Sequence, residues 1–170
     1  MLPEYKELLK KAVSSKKAII RETKRLRKMR KGEIDDIIHP IHEKSFGKVD
    51  CLQCANCCKT TSPLFTERDI QRVAKHLNMK AANFTQKYLY LDQDQEFVLK
   101  TTPCQFLNDD NHCDIYDVRP RACSEYPHTH QVNQLGILQL TQTNATICPA
   151  VADIFQELGK ISEEITKKKY

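Results

Sequence analysis

Aromatic residues and glycine are scarce in this chain of 170 residues. Aromatic side chains make up 7% of it, Trp is absent, and there are only 4 Gly. A core with few large rings buries less apolar surface, which leaves room for bound metal ions to add stability. The chain also contains no P-loop, no dinucleotide fingerprint and no nucleophile elbow. The sequence therefore leaves open whether the protein is an enzyme.

Long apolar runs are missing as well. No stretch of about 18 apolar residues occurs, so we expect no transmembrane helix. The first residues, MLPEYKELLKKAVSSKK, lack the apolar segment and the small-residue cleavage site of a signal peptide. We therefore expect a cytoplasmic protein, in a reducing compartment where disulfides are rare.

Cysteine is plentiful by contrast, and half of the 8 thiols crowd into the stretch DCLQCANCCKT, at Cys51, Cys54, Cys57 and Cys58. A secreted four-disulfide domain is disfavoured, because neighbouring cysteines rarely bond each other without strain. Scattered buried free thiols would explain one or two cysteines, but not four so close together. The spacing favours metal ligation.

The other four thiols complete a set of eight candidate metal ligands. They are Cys104, Cys113, Cys123 and Cys148. Cys104 and Cys113 lie near the two ends of a predicted turn, and a turn that presents two cysteines is a common half of a four-thiolate zinc site. Eight thiols fit two four-ligand sites or one polynuclear cluster, with Cys58 turned away from the tight loop that its neighbours form.

We expect an iron–sulfur cluster or zinc, since both accept thiolate ligands, although thiolate sites also take copper(I). The run C-x2-C-x2-C resembles the start of a 4Fe–4S motif whose last cysteine precedes proline, as Cys148 precedes Pro149 here. The usual zinc pattern has two separated C-x2-C pairs. The single dense knot of cysteines therefore favours iron–sulfur.

Hydrophobic periodicity predicts a mostly helical α+β protein with a small cysteine-rich β-hairpin and loop centre that holds the metal site. Helices are predicted at 3–31 with a break at Ser14-Ser15, at 33–38, from Thr66 with a capping-box start, at 81–89 and at 151–168. A loop is predicted at 39–50, a hairpin of 96–107 against 113–116, and a strand at 135–141.

Charge is unevenly distributed along the chain. Residues 1–31 carry 12 Lys or Arg and 3 Asp or Glu, a net +9, which against +5 for the whole chain leaves −4 for the rest. We predict a basic helical arm (1–45), a cysteine-cluster domain (46–150) and a C-terminal helix (151–170) packed on that domain. The arm would contact an acidic protein or nucleic acid. Alternatively, its apolar stripe docks on the C-terminal helix and belongs to the core.

Several side chains near the cysteines are further candidates. His112, His128 and His130 could ligate a metal or donate to a thiolate, although exposed loop histidines are more common. Arg119 and Arg121 could balance thiolate charge, or could form surface ion pairs.

Four ordered blocks of sequence together resemble a known family. They are Cys51 to Cys58, Pro103 to Leu107, Cys113 to Tyr116 and Arg119 to Cys123. This pattern resembles the YkgJ-type cysteine-cluster family, described as a zinc- or iron-chelating domain and often labelled an iron–sulfur protein, over about residues 46–150. The resemblance implies a metal site but assigns no reaction. Flagellin lysine methylases carry a similar cluster, so a protein-modifying role is conceivable by analogy.

Two departures from the family pattern stand out. Ala55 occupies a position that is often Gly in the family, and Gly is the residue that reaches a left-handed turn without strain. Ser124 and Tyr126 depart from the family's Cys-Arg-x-Phe-Pro. Neither change removes a ligand.

We predict a cytosolic metal-binding protein, with a cysteine-ligated iron–sulfur cluster and a redox, metal-delivery or protein-modification role. The alternative is a zinc-stapled module that binds nucleic acid or a protein through its basic N-terminal helix.

Overall fold

The computed structural model describes the backbone of residues 1–167 and the side chains of residues 1–162. Its contacts divide the chain into two compact units. Unit 1 comprises residues 1–54 and 127–170, and unit 2 comprises residues 55–126. The predicted fold class is confirmed: the chain is mostly helical, with one small antiparallel sheet. Residue 168, the last of the predicted terminal helix, lies outside the described residues.

The helices of the described chain follow one another as α1 (Pro3–Ser14), α2 (Lys16–Leu26), α3 (Glu33–Phe46), α4 (Cys51–Cys54), α5 (Asn56–Thr60), α6 (Glu67–His76), α7 (Ala81–Tyr88), α8 (Arg121–Ser124), α9 (Gln134–Asn144) and α10 (Pro149–Lys167). The strands are β1 (Leu64–Phe65), β2 (Leu89–Leu91) and β3 (Phe97–Leu99). No helix within the described residues is both long and apolar enough to cross a bilayer.

The first helices of unit 1 follow the sequence only in part. The expected break near Ser15 is confirmed, since it separates α1 from α2. The predicted stop before Pro40 and the loop over 39–46 are wrong, because α3 continues through Pro40 to Phe46. Pro40 costs the helix one backbone hydrogen bond. Burial of Ile38 and Ile41 on either side of it favours the continued helix.

The segment 135–141 is a helix, so the predicted strand is wrong. Its buried residues Gln134, Leu138, Thr141 and Asn144 recur at steps of three and four, which is the period of a helix face. The alternation of apolar side chains in LGILQLT suggested a strand, but packing of α9 on α2 and α3 decides the outcome.

The core of unit 1 joins the ends of the chain. Ala12, Ile19 and Leu26 of the first two helices belong to one buried cluster with residues of α3, α9 and α10. In α10 the cluster includes Ile154 and Leu158, both fully buried. The N-terminal helices therefore pack in the same core as the C-terminal helix, which is the second of the two arrangements considered from the sequence. The division into arm, domain and terminal helix stays a prediction.

Unit 2 is built around the three-stranded sheet, in which β3 lies between β1 and β2 and all pairs are antiparallel. The capping box at the start of α6 is confirmed: the Thr66 hydroxyl accepts from the Asp69 amide, and the Asp69 carboxylate accepts from the Thr66 amide. The core of the unit is an apolar cluster that includes Phe65, Phe84 and Phe106.

The predicted hairpin of 96–107 against 113–116 is wrong. Strand β3 pairs with β2 across a turn in which the Asp92 carboxylate accepts from the amides of Asp94 and Glu96. This Asx-type turn was the overlooked signal for a hairpin. Between the two predicted segments, the described structure has only the isolated bridge from Leu107 to Cys113.

Candidate metal centre

Unit 2 holds five of the eight thiols. Cys57 and Cys58 lie on the short helix α5, and their sulfur atoms are 3.9 Å apart. The amide of Cys104 donates a hydrogen bond of 2.8 Å to the carbonyl oxygen of Cys58. This backbone contact fixes the segment that carries Cys104 beside the cysteine knot.

Cys104 and Cys113 lie on a turn whose backbone amides point at their sulfurs. The amide of Phe106 donates to the Cys104 sulfur and the amide of Ile115 donates to the Cys113 sulfur. The amide of Leu107 donates to the carbonyl oxygen of Cys104 at 3.1 Å. The Leu107–Cys113 bridge closes the turn. Hydrogen bonds from N–H groups stabilise the thiolate form, which is the form that binds metals.

Helix α6 positions the segment that carries Cys123. The buried Asp69 carboxylate accepts a hydrogen bond of 3.2 Å from the amide of Arg121, the first residue of α8. The Arg72 guanidinium donates to the carbonyl oxygens of Val118 and Arg119. The irregular backbone before Cys123 is therefore anchored to the regular helix α6. Sequence analysis had identified Asp69 only as part of a capping box.

The pKa values show that four of these thiols lie close enough to affect one another. Burial raises the pKa of Cys104 to about 11 and that of Cys123 to about 12, and it also raises the pKa of Cys113. A hydrogen bond from Cys57 lowers the pKa of Cys58 to about 7. A negative charge on Cys58 raises the pKa of each of the other three. A bound cation would reverse this repulsion and deprotonate the thiols.

The two arginines of the Arg-Pro-x-x-Cys block have different roles. The positive charge of Arg119 lowers the pKa of both Cys113 and Cys123, so Arg119 lies near these thiols. This position agrees with the hypothesis that the arginine balances thiolate charge. Arg121 forms an exposed ion pair with Glu125 at 2.6 Å. Only Arg119 therefore has the position of a residue that balances thiolate charge.

Unit 1 holds the remaining three thiols, Cys51, Cys54 and Cys148. Cys54 is buried, and it shares an apolar cluster with Cys148 and Tyr5. Burial raises the pKa of Cys148 to about 12, and the nearby Cys54 and Cys51 raise it further. The amides of Val151 and Ala150, in the first turn of α10, donate to the Cys148 sulfur. Cys148 therefore occupies the N-terminal end of α10, where the helix dipole favours negative charge.

Two contacts fix the backbone that leads into Cys51. The Tyr5 hydroxyl donates to the carbonyl oxygen of Lys48 and accepts from the amide of Asp50. The Asp50 carboxylate then accepts from the amide of Leu52 at the start of α4. A residue of the first helix therefore positions the start of the cysteine knot.

Ala55 has the left-handed backbone that the family's glycine would adopt freely. Its φ of 48° and ψ of 20° lie in the left-handed helical region, and its side chain is buried. The chain therefore reaches this turn with alanine, at a cost of about 1–2 kcal/mol relative to the right-handed conformation.

The histidines differ in their exposure and in the residues that they contact. His112 is exposed and pairs with Asp110 at 3.2 Å, as expected of a loop histidine. His130 lies 5.7 Å from the ring of His42, which is buried in α3 and which sequence reasoning did not single out. His42 bonds the Thr129 hydroxyl at 2.8 Å and stacks on Phe46. The signal that could have identified His42 from the sequence is its position on the buried face of α3.

Within the described side chains, no group of three or more His, Cys, Asp or Glu residues has an arrangement that could hold a metal ion. The chemistry of the donor set nevertheless fits zinc or iron, because buried thiols with N–H donors at their sulfurs favour soft metals. Side chains would have to reorient to complete a coordination shell.

Comparison with protein families identifies the chain by its cysteine blocks. The family model described as "CxxCxxCC: Putative zinc- or iron-chelating domain" matches residues 50–149. The match spans all eight cysteines and more than half of the chain. Comparisons with curated proteins and with solved structures gave no match. The chain therefore belongs to this family of zinc- or iron-chelating domains.

Proposed function

We propose that the protein binds an iron–sulfur cluster through its cysteine thiols, and that Cys58, Cys104, Cys113 and Cys123 of unit 2 form the better-supported set of ligands. The observation that carries this proposal is their convergence: these thiols come from separate segments, yet the charge of Cys58 acts on all three others. Without a metal the raised pKa values keep Cys104, Cys113 and Cys123 as neutral thiols, whereas a bound cation would stabilise all four as thiolates.

The three thiols of unit 1 supply a second ligand set in this proposal. Cys51, Cys54 and Cys148 interact within unit 1, and the Cys148 sulfur already accepts two backbone hydrogen bonds. Cys57 belongs with the unit 2 thiols in this proposal, because its sulfur lies 3.9 Å from that of Cys58. We therefore assign all eight cysteines to metal ligation, with the centre in unit 2 as the better-supported one.

The dense spacing of the cysteine knot supports iron–sulfur, whereas one feature of unit 2 supports zinc. Cys104 and Cys113 lie on a turn closed by a β-bridge, an arrangement typical of half a four-thiolate zinc site. A bound cluster would supply one-electron redox chemistry, and bound zinc would supply a structural cross-link. Under the first reading, the protein acts in the cytoplasm in electron transfer, metal delivery or modification of another protein.

Purification without oxygen distinguishes the two metals. We expect brown protein with iron and acid-labile sulfide, and visible absorbance that disappears on exposure to air. Colourless protein loaded with zinc would overturn the iron–sulfur assignment and leave the zinc reading. Protein that holds neither metal after reconstitution with each would overturn the proposed function.

Single substitutions test the two ligand sets. We expect Cys123→Ser to lose the metal of the unit 2 centre and to keep that of unit 1. We expect Cys148→Ser to lose the metal of unit 1 and to keep that of the unit 2 centre. His112→Gln is the matched control, since His112 is exposed beside Cys113 and is not in the proposed set. Unchanged metal content in both cysteine variants would contradict the ligand assignment.

A further inference from the structure

The first two helices present a strongly basic surface that the metal centre does not explain. We define the basic face as Lys10, Lys17, Arg21, Lys24 and Lys28, all of which are exposed. At 3.6 residues per turn, Lys17, Arg21 and Lys24 lie about 140–160° around the helix from the buried Ile19. Lys17, Arg21 and Lys24 therefore lie on the side of α2 that points away from the core of unit 1, whereas Lys10 lies on α1 and Lys28 follows the end of α2.

The cations of the basic face have little acidic compensation. Within the part of the chain that the structure describes, none of the five is engaged in an ion pair. Glu22, the one acidic residue of α2, is buried and bonds Arg25 and Ser162 instead. Glu4 and Glu7 lie in the first turns of α1, before the basic face begins. The face therefore carries a concentrated, unneutralised positive charge.

We propose that the basic face binds the phosphate backbone of a double-stranded nucleic acid without reading its sequence. Phosphates are the ligands that clustered Lys and Arg side chains recognise on nucleic acids. Residues 6–31 contain no Asn, no Gln and no aromatic residue. The face thus lacks the amides that read adenine and the rings on which single-stranded bases stack.

The structure argues against the two other polyanionic partners. A membrane-surface helix inserts its apolar face into the lipid, but here Ala12, Ile19 and Leu26 are buried in the core of unit 1. Val13 is the one large apolar side chain of these helices that is strongly exposed, at 59%. Lysine is depleted at protein–protein interfaces, which rely on aromatic and apolar anchors instead. A duplex backbone therefore fits the face best.

The experiment measures binding of the full-length, metal-loaded protein to 20-base-pair DNA and RNA duplexes of random sequence, by fluorescence anisotropy. If four or five phosphates are contacted, the logarithm of the binding constant should fall with the logarithm of the salt concentration with a slope of about −4. Whichever of the two duplexes the protein binds with the higher affinity identifies the partner as DNA or RNA. Binding of neither duplex overturns the proposal.

A charge-matched pair of variants tests whether the basic face is responsible. The triple variant Lys17→Gln, Arg21→Gln, Lys24→Gln should bind at least tenfold more weakly at low salt, with a slope shallower by about 3. The control carries Lys75→Gln, Lys80→Gln and Lys87→Gln, which remove the same charge from exposed positions of unit 2. The control should bind within about twofold of the unchanged protein.

Further measurements separate this proposal from its competitors and from the metal assignment. Circular dichroism and metal content should be unchanged in both triple variants, because all six side chains are exposed. Equal loss of binding in the two variants would show a general effect of net charge and overturn the proposal. Tighter binding to phosphatidylserine vesicles or to polyglutamate than to either duplex would overturn it in favour of a membrane or an acidic protein.

Discussion

The amide of Cys104 donates a 2.8 Å hydrogen bond to the carbonyl oxygen of Cys58, and so joins two cysteine segments that lie far apart in sequence. The backbone beyond Cys104 is held by turns, one isolated bridge and a short 3-10 segment, Tyr116–Val118. Such a segment has few regular hydrogen bonds of its own to resist local opening. The thiols at its two ends, Cys104 and Cys123, would therefore bind a metal that also holds the segment in place.

We accordingly predict that removal of the metal loosens residues 104–123 more than the rest of unit 2. Structural metal sites contribute about 10 kcal/mol or more of apparent binding free energy, which becomes folding free energy when the site is not rigid beforehand. Amide exchange in 104–123 should accelerate at least tenfold in the stripped protein. Exchange in α7, which carries the fully buried Phe84, should change much less. Equal exchange in the loaded and stripped proteins would show a rigid, preformed pocket.

Asp69 provides a second test of how the centre is held, because it links α6 to the start of α8. Its carboxylate is buried and accepts from Thr66, Arg72 and the Arg121 amide. Although burial raises the pKa of Asp69, these hydrogen bonds outweigh it and lower the pKa. Asp69→Asn should cost about 2 kcal/mol of unfolding free energy, since hydrogen bonds to charged groups are worth about 1.5–3 kcal/mol each.

The same variant should weaken metal binding, because the Arg121 amide that Asp69 holds lies only two residues before Cys123 in α8. Chelator competition measures this affinity, and denaturant titration measures the stability. Glu67→Gln, at an exposed position in the same helical turn, is the control and should change neither. Loss of stability with unchanged metal affinity would show that Asp69 supports α6 alone.

The sequence predicted those features of the fold that depend on residues close together in the chain. The capping box at Thr66 and Asp69 and the break at Ser15 each arise from residues within one turn, and both were predicted. The helix through Pro40 depends instead on burial of Ile38 and Ile41 against distant parts of unit 1. The periodicity of one segment cannot show that burial, so the helix was expected to end too early.

The candidate metal centre could likewise be predicted only in part from the sequence. Spacing and family resemblance alone were enough to propose the eight cysteines as ligands, and that assignment stays a prediction. Their grouping could not, because Cys58 is a sequence neighbour of Cys57 but interacts with thiols as distant as Cys123. The contact of Asp69 with the Arg121 amide was equally hidden, since nothing in the sequence marks a backbone donor that lies in another segment.

Ala55 allows a prediction about the knot itself. Ala55→Gly relieves the left-handed strain of about 1–2 kcal/mol, whereas it removes a buried methyl group worth about 0.8 kcal/mol and adds freedom to the unfolded chain. With about 0.4–1 kcal/mol for that freedom, the three contributions nearly cancel, and we expect the unfolding free energy to change by no more than about 0.8 kcal/mol in either direction. The control Ala18→Gly, at an exposed position inside α2, should lose about 1 kcal/mol. A comparable loss at Ala55 would contradict the left-handed conformation.

His42 makes the stability of unit 1 depend on pH. Burial lowers the pKa of His42 below the ordinary histidine value of 6.5, the nearby His130 and His39 also lower it, and the negative charge of Glu43 opposes them. The unfolded chain therefore takes up a proton at His42 at a higher pH than the folded chain does. The stabilising effect of a neutral His42 is complete above about pH 7 and is lost progressively as the pH falls through 6.5.

Denaturant unfolding of the protein and of His42→Gln between pH 7.5 and 5 measures this contribution. The variant should be less stable at pH 7.5, because it loses the bond to Thr129 and the stacking on Phe46. Its stability should also fall less steeply toward pH 5, so that the two curves converge. Protonation of metal-bound thiolates affects both proteins alike and cancels in the comparison. His76→Gln, at an exposed position of α6, is the control and should follow the unchanged protein. Parallel curves for the protein and His42→Gln would show that His42 is not the group whose protonation destabilises unit 1.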